Sequence, residues 1–376
     1  MRIAVNTIFL QKDKLEGYGY FVQEIFSRLA RQHPEHQFFF IFDRPYDEIF
    51  IFSANVTPIV VSPAARHAFS FKYWYDVKLP LALSGLRIDV LVQPYGFCSL
   101  STRIPQVLVV HDLAFLHYPR FISRLHLYYY KLFTPRFIRK ATRVATVSQF
   151  SRQDIIQQYQ VDPGKIDVVY SAAKPVFQPV GEQERQRSKD ARAGGNEYFL
   201  FTGGIHPRKN LFNLLKAFSV FKKKQRSSMK LLIAGRHAWG EEDTLKKLRS
   251  YRYREDVVLL GYLPEKELAE ITAGAYALIF PSFFEGFGVP VVEAMQSGVP
   301  VIASGNSSVP EIAGEAALYA DPARFEEIAE QMIRLYKDET LRASLASKGL
   351  QQAASFSWDR TAALMWESIA RAATPA

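Results

Sequence analysis

The chain has 376 residues, 48% of them hydrophobic and 22% charged, which excludes extended disorder and makes two domains the expectation. No apolar run reaches the roughly 18–20 residues that span a bilayer. The single cysteine, Cys98, excludes an internal disulfide framework and a multi-cysteine metal site.

The N-terminal stretch MRIAVNTIF has no signal-peptide core and reads as a first β-strand, while the single cysteine fits a reducing cytoplasm. Strands are predicted over Arg2–Thr7, Gln37–Phe42, Thr57–Val61, Val90–Gln93, Gln106–His111, Arg143–Val147 and Ile166–Val169. Helices are predicted between several of them, among them Gly19–Gln32 and Ser151–Tyr159, and an aromatic-rich one over much of Pro63–Gly85. Strands alternating with helices predict a parallel sheet covered on both faces.

Residues 181–196 (GEQERQRSKDARAGGN) are almost free of large apolar side chains and read as a linker between domains 1–180 and 197–355. The alternation then restarts: strand Tyr198–Thr202, helix Leu211–Lys224, strand Lys230–Ala234, helix Glu241–Tyr251, strand Val257–Leu260, helix Glu265–Ala273, strand Ala277–Pro281, helix Pro290–Ser297 and strand Pro300–Ala303. A helical tail begins near Phe325. Its last segment, 356–376, is amphipathic and is expected to pack back on the N-terminal domain. Two α/β units facing each other would form one cleft, lined by the carboxyl ends of their strands.

The formal net charge is +10 and unevenly spread. Between Asp112 and Asp154 there is no acidic residue, while Arg120, Arg124, Lys131, Arg136, Arg139, Lys140, Arg143 and Arg152 alternate with aromatics and leucines. Such a run is either a solvated helix face or a surface for an anionic partner, here an anionic membrane. Nucleic acid is the weaker partner, because it leaves the glycine loop and carboxylates described next without a role.

The densest chemical signal is FPSFFEGFGVPVVEAMQSGVPVIAS, residues 280–304. A buried strand runs into a loop with Gly286 and Gly288, and a helix starts near Pro290. Amides of Phe287, Gly288 and Val289 at a helix head suit phosphate oxygens. Glu285 and Glu293 suit vicinal hydroxyls, Glu293 those of a ribose and Glu285 those of a hexose. A sugar nucleotide offers both groups. The alternative is a helix start with Glu stabilised by the dipole.

In GGIHPRKNL, Arg208 and Lys209 precede a helix, where the dipole disfavours two cations, so an anion between them is expected. His111 and Asp112 close the strand PQVLVVHD. Gly17 and Gly19 flank Tyr18 after the first strand and permit close approach of backbone, or form an ordinary left-handed turn. Asp-x-Asp, HExxH and GxSxG are all absent, so neither a metal site nor a serine nucleophile is supported.

The strings EGFGVPVVE, EAMQSGVPVIAS and SSVPEIAGEAALYADP resemble glycosyltransferase family 4 of the GT-B superfamily, with its Glu-x7-Glu motif. GGIHPRKNL, LLIAGRHAWG, VVLLGYLPEKELAEI, HDLAFLHYP and TVSQFSRQDI are similar to further segments of that family, in its order. The PRKN variant resembles its mannosyl- and rhamnosyltransferase-type members of polysaccharide assembly.

The resemblance implies a GT-B fold and a retaining transfer that needs no metal. The co-substrate would be a nucleotide diphosphate sugar, with GDP-mannose favoured, and the acceptor a saccharide, or, if the mixed aromatic and cationic segments 63–85 and 121–139 contact a membrane, a lipid-linked saccharide on its cytoplasmic face. It places the donor base near Gly261, Tyr262 and Leu263, and the ribose on Glu293. The diphosphate falls between Lys209, Arg208 and the helix amides, near Gly204. Lys209 and Glu285 act in transfer, His111 approaches the transferred sugar, and Asp112 fixes its loop or reaches the acceptor. The arginine that the family usually carries five or six residues before the lysine is replaced by Gly203 or Gly204, which leaves Arg208 as the substitute. That departure keeps a non-catalytic GT-B subunit open, beside a nucleotide-sugar epimerase. A phosphorylase would need a longer chain and a pyridoxal-bearing lysine.

Overall fold

The computed structural model describes residues 1–12, 15, 17–64, 68–236, 248 and 250–374. The predicted helix Glu241–Tyr251 lies mostly outside the described residues. The chain divides into two compact units, 1–171 with 358–376, and 172–357.

The first unit is built on a seven-stranded sheet. Its strands are β1 (Arg2–Asn6), β2 (Gln37–Phe42), β3 (Val56–Val60), β4 (Val90–Gln93), β5 (Gln106–Val110), β6 (Arg143–Thr146) and β7 (Ile166–Val168). They are parallel and ordered β3-β2-β1-β4-β5-β6-β7. Runs such as Phe38–Phe42 and Val107–Val110 are buried residue after residue, because helices cover both faces. The segment predicted helical over 63–85 forms helix Ala68–Tyr73, a π-helical turn Trp74–Lys78 and helix Leu79–Leu83. The final helix, Trp358–Ala373, belongs to this unit and lies along helix Gly17–Gln32. There Arg28 Nε is 2.8 Å from Asp359 Oδ1, and Thr361 Oγ1 donates to the Tyr170 carbonyl at 2.6 Å.

The second unit carries six parallel strands: β8 (Tyr198–Thr202), β9 (Lys230–Ala234), β10 (Val257–Gly261), β11 (Ala277–Phe280), β12 (Val301–Ser304) and β13 (Ala317–Ala320). Their order is β10-β9-β8-β11-β12-β13. Phe199, Phe201, Leu214, Phe218, Phe221 and Ile279 anchor its core. In each sheet the first strand sits inside and the fourth joins its other side. The order therefore reverses between β1 and β4, and between β8 and β11. Loops diverge at such a switch point, which leaves a crevice at the strands' carboxyl ends.

Two expectations are corrected. Residues 181–196 are not a free linker: Glu182–Ala193 is a helix. The Glu184 carboxylate accepts the Gly181 N–H at 3.1 Å, and Gly194 ends the helix at φ 60°. Its anchors are polar, so hydropathy gave no sign of them: Lys189 meets Glu197 at 2.6 Å and Arg192 meets Glu267 at 2.6 Å. The unit boundary falls after Ser171 rather than at 180, because Gln296 Nε2 donates to the carbonyls of Lys174 (2.8 Å) and Phe177 (2.7 Å).

Candidate active site

The second unit's switch point gathers the predicted cations. After β8 the chain passes Gly203 and Gly204 into a 3-10 turn, Pro207–Lys209. His206 Nδ1 caps this turn by accepting the Arg208 N–H at 3.1 Å. Asn210, at φ 63°, turns the chain into helix Leu211–Gln225. Its side-chain amide donates to the carbonyls of Pro281 (2.9 Å) and Pro322 (2.6 Å), and the Phe283 N–H donates to the Arg208 carbonyl at 2.8 Å. The loop after β8 is thereby fastened to the loop after β11. Gly235 closes the other side: a Cβ there would stand 1.9 Å from the Gly203 carbonyl oxygen, so backbone meets backbone.

Between these loops sits an ionic triad. Lys209 Nζ is 2.7 Å from Glu285 Oε1, and Arg208 Nη1 is 3.2 Å from Glu285 Oε2. Arg208 also donates to the Phe284 carbonyl, and the Lys209 ammonium lies 4.8 Å from the Phe280 ring centroid. The anion expected between two cations at a helix start is thus supplied by the chain itself. Burial pushes the Glu285 carboxyl up, but Arg208 and Lys209 outweigh it and hold the group at about 2. It is ionised at every physiological pH. One carboxylate against two cations leaves the triad with a net positive charge, while carboxylate lone pairs remain to accept hydroxyls.

Support for Glu285 comes from a third loop, after β12. The Glu285 N–H donates to Ser307 Oγ at 3.1 Å. Ser308 Oγ donates to the carbonyls of Glu285 (2.9 Å) and Phe287 (3.1 Å). These serines had no role in the sequence reading. Their signal is the SSVP string, which gives no contact partner by itself.

Gly286, Phe287 and Gly288 lead to helix Val289–Gln296. Gly288 takes φ 103° as its N-cap, and Pro290 occupies the first turn. The Phe287 side chain is buried against Phe356, with ring centroids 5.5 Å apart, so only its backbone is available to a ligand. Glu293 is the fifth residue of the helix, beyond the first turn, which removes the reading of it as a dipole-stabilised starter. Burial pushes its carboxyl up to about 7; Lys174 opposes the shift and Glu265 adds to it. Lys174 and Glu265 pair at 2.6 Å. Among the described residues no hydrogen bond or ion pair closes on the Glu293 carboxyl.

Tyr262 and Leu263 follow β10, at the same carboxyl edge as the triad. Tyr262 is 53% exposed, and the Arg236 guanidinium lies 4.1 Å from its ring centroid. Arg236 also joins the loop after β8, its carbonyl accepting the Ile205 N–H at 2.9 Å. The sequence reading missed this third cation, which follows β9 in a segment with no helix-start or charge-run signal.

The first unit's site residues have a different character. His111 follows β5, and its Nε2–H donates to the Pro94 carbonyl at 3.0 Å. Its ring lies 4.6 Å from Tyr18 and 5.0 Å from Phe21, centroid to centroid. Burial holds its pKa below the ordinary histidine value, against the Pro94 hydrogen bond and Asp112. The imidazole is therefore neutral at pH 7. Its carbonyl accepts Ser151 Oγ at 3.3 Å, so the ring nitrogen Nδ1, rather than that carbonyl, is the group suited to a ligand.

Asp112 fixes its loop by accepting the Ala114 N–H at 2.9 Å. Neither Gly17 nor Gly19 makes a left-handed turn; both lie in helix Gly17–Gln32. Gly19 is required for space, because a Cβ would stand 2.8 Å from the Phe9 carbonyl. Tyr18 between them is 47% exposed.

Comparison with known proteins fits both halves. The family model described as Glycosyl transferases group 1 matches residues 182–352, and that described as Glycosyltransferase Family 4 matches 16–174. O-antigen chain mannosyltransferase B of Escherichia coli is 32% identical over 258 residues, 67% of each chain. O-antigen chain mannosyltransferase RfbU of Salmonella typhimurium is 28% identical over 262 residues, 68% of this chain and 66% of the relative. The chain thus spans about two thirds of the length of these relatives. Among solved structures, Anabaena Alr3699/HepE in complex with UDP-glucose superposes with a TM-score of 0.76 at 18% identity, over 98% of this chain and 99% of that one.

Proposed function

The chain belongs to the family 4 glycosyltransferases of GT-B fold, and we propose that it is a retaining, metal-independent mannosyltransferase that draws on a nucleotide diphosphate sugar. The observation that carries this reading is the Lys209–Glu285–Arg208 triad at the second sheet's switch point. The diphosphate docks against Lys209, Arg208 and the backbone amides from Gly288 to Val289, near Gly204. Arg236 adds the positive charge that Gly203 and Gly204 cannot provide. Glu293 takes the ribose diol, and the base lies along Gly261, Tyr262 and Leu263. Mannose is favoured by the names of the two O-antigen relatives, and GDP by its pairing with mannose in the family.

Negative charge grows on the leaving phosphate as the sugar–oxygen bond breaks. Lys209 and the helix amides stabilise it in a site already organised for charge. Glu285 orients the cations and accepts a hydroxyl of the sugar. The acceptor oxygen attacks from the same face, and the leaving phosphate takes its proton. In the first unit, a neutral His111 offers Nδ1 as an acceptor for a substrate hydroxyl.

The names of the O-antigen relatives support a saccharide or lipid-linked acceptor. Helix Arg124–Lys140 suits the cytoplasmic face of an anionic membrane, with Leu125, Tyr128 and Leu132 exposed among its cations. No described helix is long and apolar enough to cross one.

The test is transfer by chelator-treated protein from GDP-, UDP- and dTDP-linked sugars to a mannose-terminated acceptor, with product configuration read by NMR. Metal-free transfer from GDP-mannose with an α-linked product is expected. A β-linked product, or an absolute need for a divalent ion, removes the mechanism. Release of mannose or an epimer without acceptor would favour the epimerase.

A further inference from the structure

We propose that His33, Glu35 and His36 form a divalent transition-metal site, suited to Zn2+, that clasps the first unit away from its transfer chemistry. The three residues lie in the turn between helix Gly17–Gln32 and β2. That turn is at the amino ends of the parallel strands, opposite the edge where His111 follows β5.

One ligand atom from each residue converges, all within 4.8 Å of one another. Glu35 Oε1 is 3.5 Å from His33 Nδ1 and 3.3 Å from His36 Nε2. Tetrahedral Zn2+, with bonds of about 2.0–2.2 Å, sets its ligand atoms about 3.3–3.5 Å apart, a spacing the two Glu35 pairs already have, while the two histidine nitrogens lie within 4.8 Å and close on the ion by ring rotation. Two imidazoles and one carboxylate are a ligand set that Zn2+ takes, with the fourth position left to water. That position opens to solvent beside Glu35, whose side chain is 58% exposed.

The ligands are held before any ion arrives. Asn55 Nδ2 donates to the carbonyls of Ala30, His33 and His36 at 3.0, 3.1 and 2.9 Å, which fixes the backbone of the turn. The Trp366 indole stacks on His33 at 3.6 Å and a 15° tilt, and lies 5.1 Å from His36. The Met1 ammonium donates to His36 Nδ1 at 2.9 Å, so the empty ring carries its hydrogen on Nε2 and an ion bound there displaces one proton. Such outer contacts set ring orientation in metal sites and tune affinity. Because Trp366 belongs to helix Trp358–Ala373, an ion on His33 would fix the ring on which that helix already stacks.

Titration of metal-stripped full-length protein with ZnCl2 by calorimetry, and with Co2+ by visible absorption, tests the site. One equivalent per chain is expected, with tetrahedral Co2+ bands and a Zn2+-dependent rise in Tm. Glu35→Gln and His36→Gln should each weaken binding at least about tenfold. His126→Gln should leave it unchanged. Glu35 is exposed, so its variant folds even if a histidine variant does not. Absence of a saturable equivalent, or parent affinity retained in both Glu35→Gln and His36→Gln, overturns the proposal. Transfer by the metal-free protein is a separate readout, so loss of this site leaves the catalytic reading standing.

Discussion

The two sheets share one strand order but furnish their switch points with opposite chemistry. Between β8 and β11 the loops bring a carboxylate and two cations into direct contact. Between β1 and β4 the loops bring aromatics together instead: Phe9 meets Tyr95 at 4.5 Å, and nearby Tyr18 meets His111, a neutral histidine, at 4.6 Å. On the proposed reading, the charged loops take the phosphorylated part of the donor and the aromatic ones an uncharged polyol. Topology places a site at the strand ends; the loop residues decide which part of a reaction it handles.

Removing the charge that most favours a phosphate should expose this division most strongly. Lys209→Ala is expected to lower kcat by about 10²–10³, the usual loss when one preorganised donor to a developing charge is removed. Its Tm should fall but folding should persist, because the buried Glu285 loses one of its two cation partners and keeps Arg208. Near-parent turnover would move the phosphate away from the triad.

Glu285→Gln separates the carboxylate from its cations. Without the carboxylate, Lys209 and Arg208 are freer to meet the diphosphate, so donor Kd should hold or tighten while kcat falls by about a hundredfold from misplaced groups. A parallel loss in both would make Glu285 a plain brace. The carboxyl sits at about 2 when folded, below its ordinary 4.5. Its contribution to stability is therefore present above pH 4.5 and lost as pH falls towards 2.

Glu293 gives the opposite sign. Its folded carboxyl titrates at about 7 against an ordinary 4.5, so between those values the folded state binds more protons than the unfolded one. Its contribution to stability is full below pH 4.5 and fades as pH rises through 7. Glu293→Gln should match the parent near pH 5 and exceed it near pH 8 in chemical unfolding. The same substitution should weaken the donor by about ten- to hundredfold at pH 8, the scale of a hydrogen bond to a charged group. Parent affinity should fall with acidification through pH 7, and that trend should vanish in the variant.

What could be read in advance follows the same physics. Strands such as Gln37–Phe42 were legible because both sheet faces are covered, so burial leaves an unbroken apolar run. Strand β13, Ala317–Ala320, lacks the β-branched residues that mark equally short strands such as Val301–Ser304. Helix Glu182–Ala193 was unreadable as structure because ion pairs, not apolar packing, hold it. Lys209 was legible because a cation at a helix start violates local electrostatics. Arg236, Ser307 and Ser308 break no local rule. They reach the site through other strands' loops, and only the fold reveals their partners.

The smallest effect belongs to Asp112, and it tests whether the first unit's loop is a frame or a contact. Its carboxylate accepts the Ala114 N–H and starts a helix only four residues long, Ala114–His117. Asp112→Ala removes one cap-like bond, with an expected cost of about 1 kcal/mol in chemical unfolding. Asp112→Asn keeps an accepting oxygen and should recover most of that loss. If Asp112 only frames the loop beside His111, both variants keep the parent's donor Kd, and acceptor KM changes little. An acceptor KM that rises sharply in Asp112→Asn, with stability retained, would mean that the carboxylate's charge reads the acceptor. The aromatic edge would then contain an ionic reader, and the contrast between the two switch points would weaken.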